Sequence, residues 1–295
     1  MKRTLIACTL MVLASCTSTP DAYYGVVRSS GDDVERHLTS RYSDIQENCG
    51  TGSKPAFLCT GLVIRATTYN PEFHSWDNNQ ANHTSGGVSF SFLRADSTYS
   101  KLAYGRVNGY VLLPYDHADG KFHPEILCSF PIDAATSQRD DKGCGASQNV
   151  LGSGACQPQG IYTPQQWYTH YRSTAGNQRV HQCGFDVRNA LNEQATIAFN
   201  ASIAAMALLG AESFATQNEV RIAVWPDGSG STLPLEAFFY IDGYSSGKIN
   251  AQNDQRDLFT TSQIAIPVIS LRLPSSTSQP ATFRYFAADQ VIALP

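Results

Sequence analysis

A polar turn runs directly into an alternating strand at Ala215-Thr216-Gln217-Asn218-Glu219-Val220-Arg221-Ile222-Ala223-Val224-Trp225. Its apolar residues recur at every second position, which places Val220, Ile222 and Val224 on one face of a strand. Glu219 then lies where a rigid strand meets a loop, a common position for a catalytic carboxylate. For a single glutamate the alternative is a surface carboxylate that begins an edge strand.

Composition narrows the class of protein. The 295 residues are enough for one large domain or two ordinary ones. The formal net charge of −4 argues against a general nucleic-acid-binding protein, because such a protein needs a basic face to displace counterions. A small anionic ligand held by one or two arginines remains compatible with this charge.

The N-terminus has the pattern of an export signal. Lys2 and Arg3 precede an apolar run at 4–12 that is too short to span a bilayer. Leu13-Ala14-Ser15-Cys16 then matches the lipobox of exported lipoproteins, so we predict lipidation of Cys16 and a membrane contact through that anchor only. The alternative is an ordinary signal peptide, cut near Ala14 or Ser15, that releases a soluble protein.

Six further cysteines agree with export, since an even number in an exported chain indicates disulfides. Six cysteines allow 15 connectivities, and we predict the sequential one because each bond then closes a local polar loop. The pairs are Cys49–Cys59, Cys128–Cys144 and Cys156–Cys183. We expect no metal site here, because the cysteines lack a C-x-x-C pair and a nearby histidine at ligand spacing.

Hydrophobic periodicity predicts an α+β fold in a single domain. After a signal peptide at 1–15 and a tether at 16–30, the catalytic domain is expected at 31–295, with a cysteine-rich insertion at about 116–184. The predicted helices are 32–46, a short one from Thr163 to Tyr171, and a long one within 185–209. The predicted strands are 56–66, 87–93, 111–115, 125–130, one starting at Glu219, 235–241, 264–273 and 281–286. We expect 111–115 and 125–130 to pair with each other.

Three of these strands bear polar residues that point to one chemistry. Arg65 ends the apolar strand Gly61-Leu62-Val63-Ile64-Arg65, and Ser89 and Ser91 share a face of a second strand. Gln217 and Glu219 precede a third. This order of Arg, Ser and Gln-x-Glu resembles the ADP-ribosyltransferase family of the bacterial toxin type, and in particular its halovibrin-like members, which cleave NAD.

Longer segments support the halovibrin-like resemblance over most of the chain beyond residue 30. They are Pro55-Ala56-Phe57-Leu58-Cys59, Ser85-Gly86-Gly87-Val88-Ser89-Phe90-Ser91, Phe130-Pro131-Ile132-Asp133-Ala134-Ala135-Thr136 and Leu235-Glu236-Ala237-Phe238-Phe239-Tyr240. The resemblance implies a mainly antiparallel split sheet with flanking helices. It also implies NAD as substrate, no further cofactor, and either water or a protein as the acceptor of ADP-ribose.

The resemblance assigns a role to each site residue. Arg65, with Ser91, is expected to bind NAD, since a guanidinium matches a pyrophosphate with paired donors. Glu219 would stabilise positive charge on the ribose as the nicotinamide bond breaks. Ser89 would orient that carboxylate, and Gln217 would face the incoming nucleophile. In the family a Gln-x-Glu turn tends to go with water or with acceptors other than arginine.

This chain departs from the family pattern in two respects. Phe90 stands where the family's Ser-Thr-Ser strand has threonine, which removes one hydroxyl group. The second and third motifs are also far apart, at 219 − 89 = 130 residues. We expect the cysteine-rich insertion to fill that gap, and if it covers the pocket it favours water over a protein acceptor.

Two other functions compete with NAD cleavage. Gly243-Tyr244-Ser245-Ser246-Gly247 matches the G-x-S-x-G pattern of serine hydrolases, but every histidine lies at or before His181, which breaks their usual chain order. A glycine-rich hairpin turn fits this stretch better. The other alternative is a non-enzymatic surface lipoprotein that binds a partner through its aromatic residues. A metal site in the acidic and histidine-bearing segment 116–125 is disfavoured.

Overall fold

The structure is a computed structural model that describes residues 30–49, 54–76, 88–112, 125–134, 144, 154–173, 178–188, 193–223 and 235–294. The export signal, Cys16 and nearly all of the tether therefore lie outside the described residues, and so does the loop 116–124. No helix in the described part of the chain is long and apolar enough to cross a bilayer.

Six helices flank the sheet in the described ranges. They are α1 (Gly31–Ser43), α2 (Pro164–Ser173), α3 (Gln178–His181), α4 (Glu193–Leu209), α5 (Ala211–Ala215) and α6 (Ser245–Ser262). The start of α1 is fixed by a capping box, in which Ser30 and Asp33 each satisfy a backbone N–H of the other. Helical spacing predicts an apolar face formed by Val34, Leu38, Tyr42 and Ile45. The first three are buried, but Ile45 lies beyond the end of the helix and is exposed.

Two short strands, β1 (Asn48–Cys49) and β2 (Lys54–Pro55), form a small ribbon beside the main sheet. The main sheet has nine strands, in the order β11-β10-β9-β5-β3-β4-β8-β6-β7. These strands are β3 (Leu62–Thr67), β4 (Val88–Leu93), β5 (Asn108–Leu112), β6 (Glu125–Phe130), β7 (Phe185–Asp186), β8 (Glu219–Ala223), β9 (Leu235–Ile241), β10 (Val268–Arg272) and β11 (Thr282–Tyr285).

The predicted class is confirmed as α+β with a mostly antiparallel sheet, since β9–β10 is the single parallel pair among the described strands. Helices cover both faces, which explains why every residue of β5 is buried. On one face the core joins Trp167 and Phe199 to Phe238. On the other face Leu38 packs in a separate cluster with Phe239.

Strand β4 is the junction at which the sheet changes partners. Its last three residues, 91–93, pair with β3, whereas its first three, 88–90, pair with β8. The strand order is continuous, so the predicted split is present only as this change of partner within β4. The sheet consequently opens beside β4. One opening follows the part of β3 that pairs with β4, and the other precedes the part of β8 that pairs with β4. Arg65 and Glu219 lie at those two places.

All three predicted disulfides are confirmed, joining Cys49 to Cys59, Cys128 to Cys144 and Cys156 to Cys183. Three disulfides are typical of a protein that folds in an oxidising or extracellular environment. The first bond lies at the surface next to the β1–β2 ribbon, and the third lies in the main core, where both cysteines are buried.

Three features of the strands differ from the prediction. β5 and β6 do not pair with each other, because β5 lies between β3 and β9 while β6 lies between β8 and β7. β6 also falls inside the range predicted as an insertion, yet it is an integral neighbour of β8. The predicted strand 56–66 begins instead with a 3-10 turn at Ala56–Leu58, and β3 starts only at Leu62.

Candidate active site

A cavity of about 290 Å³ lies where the sheet opens beside β4. Four of the five predicted catalytic and binding residues line it, namely Arg65, Ser89, Gln217 and Glu219. They come from β3, β4, the first residue of β8 and the turn before it, so the fold brings together side chains that are up to 154 positions apart, from 219 − 65. The remaining walls are Ile64, Ala66, Phe90, Ala103, Tyr104, Arg106 and Asp133.

Glu219 is a buried carboxylate, with a residue exposure of 1%. Its Oε2 accepts a hydrogen bond of 2.9 Å from the backbone N–H of Ala134, in the segment that follows β6. The pairing of Phe130 with Glu219 aligns that segment with the start of β8. The carboxylate is therefore held on a strand and directed by the neighbouring strand, as a preorganised site requires.

Asn218 fixes the turn to β4 by an arrangement that the sequence did not suggest. Its side-chain Oδ1 accepts from the backbone N–H of Phe92 at 2.7 Å, and its Nδ2 donates to the carbonyl oxygen of Phe92 at 2.8 Å. β8 pairs with β4 only at residues 88–90, so at Phe92 the side-chain amide of Asn218 takes the place of a backbone peptide group of β8. We refer to this double hydrogen bond between Asn218 and Phe92 as the amide clamp.

Gln217 joins the same turn to the segment between β4 and β5. Its Oε1 accepts a 3.0 Å hydrogen bond from the backbone N–H of Ala103, and only 5% of the residue is exposed. This contact fixes the side chain on the cavity wall. Its predicted role toward a nucleophile stays a prediction.

Arg65 lies on the opposite wall, where aromatic residues and carbonyl groups hold it. Its Nη1 donates to the carbonyl oxygen of Ser75 at 3.3 Å and to the hydroxyl of Tyr110 at 3.4 Å. Its guanidinium carbon lies 5.9 Å from the centre of the Phe90 ring. Phe90, the departure from the family's threonine, therefore packs against the predicted phosphate-binding residue.

The close approach of β5 to Arg65 depends on glycine. A Cβ atom placed on Gly109 would lie 1.9 Å from the carbonyl oxygen of Arg65. A larger residue at this position would push β5 away from β3 and move the arginine.

Arg106 is a second arginine on the cavity wall, and no sequence motif pointed to it. Its Nη1 donates to the carbonyl oxygen of Ala66 at 2.8 Å. The pKa of Arg106 is lowered, first by burial and then by the positive charge of Arg65. Two guanidinium groups that repel each other across a cavity favour an anion between them. Their partners among the described residues are carbonyl oxygens, a phenol hydroxyl and aromatic rings.

Tyr104 adds an exposed aromatic face beside Arg106. Its residue exposure is 80%, and its φ of 57° lies in the left-handed region that a tyrosine rarely adopts. The Arg106 guanidinium carbon lies 5.5 Å from the centre of its ring. Uncommon backbone conformations of this kind cluster at ligand-binding sites.

The two serines of β4 separate. Ser89 is exposed and lines the cavity. Ser91 is buried, its Oγ lies 2.8 Å from the hydroxyl of Tyr99, and it is not among the described residues that line the cavity. The structure therefore places Ser91 in a core hydrogen bond instead of the predicted NAD contact. Ser91 lies two positions after Ser89 on β4, but the cavity ends before it.

The G-x-S-x-G stretch is not the predicted hairpin turn, because Ser245 begins the long helix α6 directly after β9 and a tight turn at Gly243. The stretch thus has the strand, turn and helix of a nucleophile elbow. Among the histidines of the described ranges, His74 contacts α6, with its Nε2 3.4 Å from Asp257. Asp257 is 12 residues beyond Ser245, or about 18 Å along the helix axis, which is too far for a base that activates Ser245.

No family model matches this chain, and no curated protein matches it. Within the described ranges no group of three or more His, Cys, Asp or Glu side chains is placed to hold a metal ion. A larger groove of about 680 Å³ lies between β7 and α4 and contains none of the predicted site residues.

Proposed function

We propose that this protein cleaves the nicotinamide–ribose bond of NAD in the cavity beside β4, as a glycohydrolase, an ADP-ribosyltransferase or both. The single observation that supports this most is the meeting of Arg65, Ser89, Gln217 and Glu219 around one cavity. The sequence analysis selected these four residues for NAD chemistry. Neither the hydrophobic periodicity of their strands nor their separation along the chain requires them to lie together in the fold.

The charges of the cavity suit the two ends of the reaction. Arg65 and Arg106 form a doubly positive wall for the pyrophosphate, and the ring of Tyr104 offers a stacking face for one of the two bases. The buried Glu219 faces the same space, where it would stabilise the positive charge that develops on the ribose. The cavity is at the small end of ligand sites, so we place the nicotinamide riboside in it and the adenylate half outside.

The leaving group needs little help in this scheme. Nicotinamide departs as a neutral molecule, because its positively charged ring nitrogen takes the electron pair of the broken bond. The protein's task is to position the ribose and to stabilise its charge, which is the contribution we assign to Glu219 and Ser89.

The experiment that tests the proposal uses NAD labelled in its adenylate part. We expect the purified protein to convert it to free ADP-ribose or to labelled protein, and Glu219→Gln to lower the rate on the order of 10²-fold or more. The variant keeps a side-chain oxygen that can accept from Ala134, so its circular dichroism spectrum is expected to match the wild type. Ser245→Ala is the matched control and is expected to leave the rate unchanged.

Each alternative function has its own signature in this experiment. The protein would instead be a serine hydrolase if it left NAD unchanged, cleaved ester substrates, and lost that esterase activity in Ser245→Ala. Unchanged NAD with no dependence on either residue would favour a surface-binding protein.

A further inference from the structure

Residues 100–107, which lead from β4 into β5, form one wall of the cavity, and we call them the wall segment. Tyr104 and Arg106 belong to it and line the cavity, where the proposed function uses them to bind a base and the pyrophosphate of NAD. Tyr104 has a φ of 57°, and the next residue, Gly105, has a φ of 65°. A left-handed conformation costs free energy at a tyrosine, so contacts with the surrounding fold must hold it.

Both ends of the wall segment are fixed to neighbouring elements. The backbone N–H and the Oγ of Ser100 donate to the carbonyl oxygen of Phe214, in α5, at 2.8 Å and 2.9 Å. At the other end, the carbonyl oxygen of Val107 accepts from the N–H of Ile241 at 2.8 Å. These contacts hold the ends of the segment, and the left-handed turn at Tyr104 lies between them.

The side chain of Gln217 holds the middle of the wall segment. Its Oε1 accepts a 3.0 Å hydrogen bond from the N–H of Ala103, the residue directly before Tyr104. This bond fixes the orientation of the amide, because an N–H group can donate to the amide oxygen but not to the amide NH₂ group. The oxygen of Gln217 is therefore directed at the wall segment.

The turn that contains Gln217 does not depend on this side chain. The carbonyl oxygen of Gln217 accepts from the N–H of Asp133 at 2.8 Å, a backbone contact that any residue at this position can make. The amide clamp ties Asn218 to β4, and the N–H of Ala134 holds the carboxylate of Glu219. Replacement of the Gln217 side chain should therefore release the wall segment and leave Glu219 in place.

We propose that Gln217 is a positioning residue, which holds the wall segment in the conformation that binds NAD. The proposal rests on the NAD cleavage of the proposed function. Because Gln217 acts through Tyr104 and Arg106, its loss should weaken the binding of NAD equally in the ground state and in the transition state. Equal weakening raises KM and leaves kcat nearly unchanged. A glutamine that faces the nucleophile would instead change kcat, because that contact belongs to the chemical step.

Steady-state kinetics of Gln217→Met test the proposal, since methionine has a similar length but lacks the amide oxygen. We expect the KM for NAD to rise about threefold to tenfold, as the loss of one hydrogen bond predicts, with kcat within about twofold of the wild type. Gln217→Glu keeps an oxygen that accepts from Ala103 and should restore KM toward the wild-type value. Gln252→Met is the matched control, because it removes a hydrogen bond from α6 to the carbonyl oxygen of Asp289, and it should behave as the wild type does.

Ala103→Pro removes the donor of the same hydrogen bond and leaves Gln217 unchanged. Proline suits the first position of the 3-10 turn Ala103–Gly105, because Leu102 before it is already extended, with a ψ of 159°. We expect this variant to raise KM as Gln217→Met does. The double variant should raise KM little further, because both changes remove one and the same interaction.

Hydrogen exchange of the wall segment gives a second measurement, one that needs no NAD. In Gln217→Met the amide hydrogens of residues 103–106 should exchange about threefold to tenfold faster than in the wild type, and those of β8 should not change. Exchange that stays at the wild-type rate would show that Gln217 does not hold the segment, and would overturn the proposal.

The kinetic outcomes separate this proposal from the one on which it rests. A fall in kcat with an unchanged KM in Gln217→Met would overturn the positioning role and leave NAD cleavage intact. Unchanged kinetics in both Gln217→Met and Ala103→Pro would do the same. A wild-type protein that leaves NAD unchanged would remove the proposed function and with it the NAD-binding role of the wall segment. Should Gln217→Met fail to fold by circular dichroism, Ala103→Pro, read by the same kinetics, decides.

Discussion

At the scale of single residues, the amide clamp explains how the turn that carries Gln217 and Glu219 can be held at a place where the sheet opens. Asn218 lies between Gln217 and Glu219, and its side chain bonds to both backbone groups of Phe92. Without this side chain, the N–H and the carbonyl oxygen of Phe92 would face the place where β8 no longer pairs with β4. A buried backbone group without a hydrogen-bond partner costs free energy. The clamp supplies partners for both groups of Phe92, so the sheet can open here without that cost.

We expect Asn218→Asp to destabilise the protein by about 2 to 4 kcal/mol. A carboxylate still accepts from the N–H of Phe92 but cannot donate to its carbonyl oxygen, and it brings a charge to a residue that is 3% exposed. Urea unfolding at neutral pH measures the change. Asn70→Asp, at an exposed residue whose side-chain oxygen accepts from the N–H of Glu72, should change the free energy by less than about 0.5 kcal/mol. Equal stability of the two variants would contradict a structural role for the clamp.

The residues of the site were predictable only in part, and the reason is physical. Arg65, Ser89 and Glu219 were identified because polar residues at strand ends, in a given order, resemble a family pattern. Arg106 and Asp133 lie in irregular segments, where no period indicates which way a side chain faces. Ser91 was placed wrongly because alternation fixes the face of a strand but not where a cavity on that face ends.

At the scale of elements, the helix α6 was the largest omission from the sequence-based prediction. Its sequence is mostly polar, and two of its buried residues are Asp254 and Gln255. A helix that buries polar groups lacks the apolar stripe by which amphipathic helices are recognised. β9, in contrast, was predicted with its observed bounds, because a continuous apolar run between turn residues defines a buried strand well.

The error in pairing β5 with β6 has a different cause. Both strands were found, but the choice of neighbour depends on contacts between distant parts of the chain. β5 is buried throughout, which suits the middle of a sheet covered on both faces. Its partner β9 lies more than a hundred residues later in the sequence, and local patterns contain no information on that distance.

Asp254 in α6 should make the stability of the protein depend on pH. Burial, and then the nearby charge of Asp257, raises its pKa from the usual 3.8 to about 7, while a hydrogen bond with Asn108 opposes the rise. A carboxyl group whose pKa is raised on folding adds stability below its unfolded pKa. That stability is lost as the pH rises from about 4 to about 7.

We therefore expect Asp254→Asn to change the slope of stability against pH. Between pH 4 and pH 8 the wild type should lose roughly 2 to 4 kcal/mol relative to the variant, since the amide does not ionise. Urea midpoints of both proteins across this range give the difference, in which the shared titration of other groups cancels. Asp257→Asn removes the second cause and should reduce the wild-type slope. Parallel curves for wild type and Asp254→Asn would show that Asp254 does not titrate in this window.

At the scale of the whole molecule, the three disulfides differ in burial and therefore in their expected contribution to stability. Cys49 and Cys59 are partly exposed beside a two-stranded ribbon. Cys156 and Cys183 are buried in the core that also contains Trp167, whose Nε1 donates to the carbonyl oxygen of Cys183. The Cys156–Cys183 bond ties the segment before β7 to the segment before α2, and β7 lies on the far side of β6 from β8.

Removal of the buried bond should therefore cost more than removal of the exposed one. We expect Cys156→Ala with Cys183→Ala to lose about 4 to 5 kcal/mol, because it combines the constraint of a 27-residue separation with a cavity in the core. Cys49→Ala with Cys59→Ala, at a separation of 10, should lose about 2 to 3 kcal/mol. Urea unfolding of the oxidised proteins compares them, and timed alkylation under mild reductant should label Cys49 and Cys59 first. A larger loss of stability from the exposed pair would contradict this prediction. It would show that the bond beside the β1–β2 ribbon contributes more to stability than the bond in the core around Trp167.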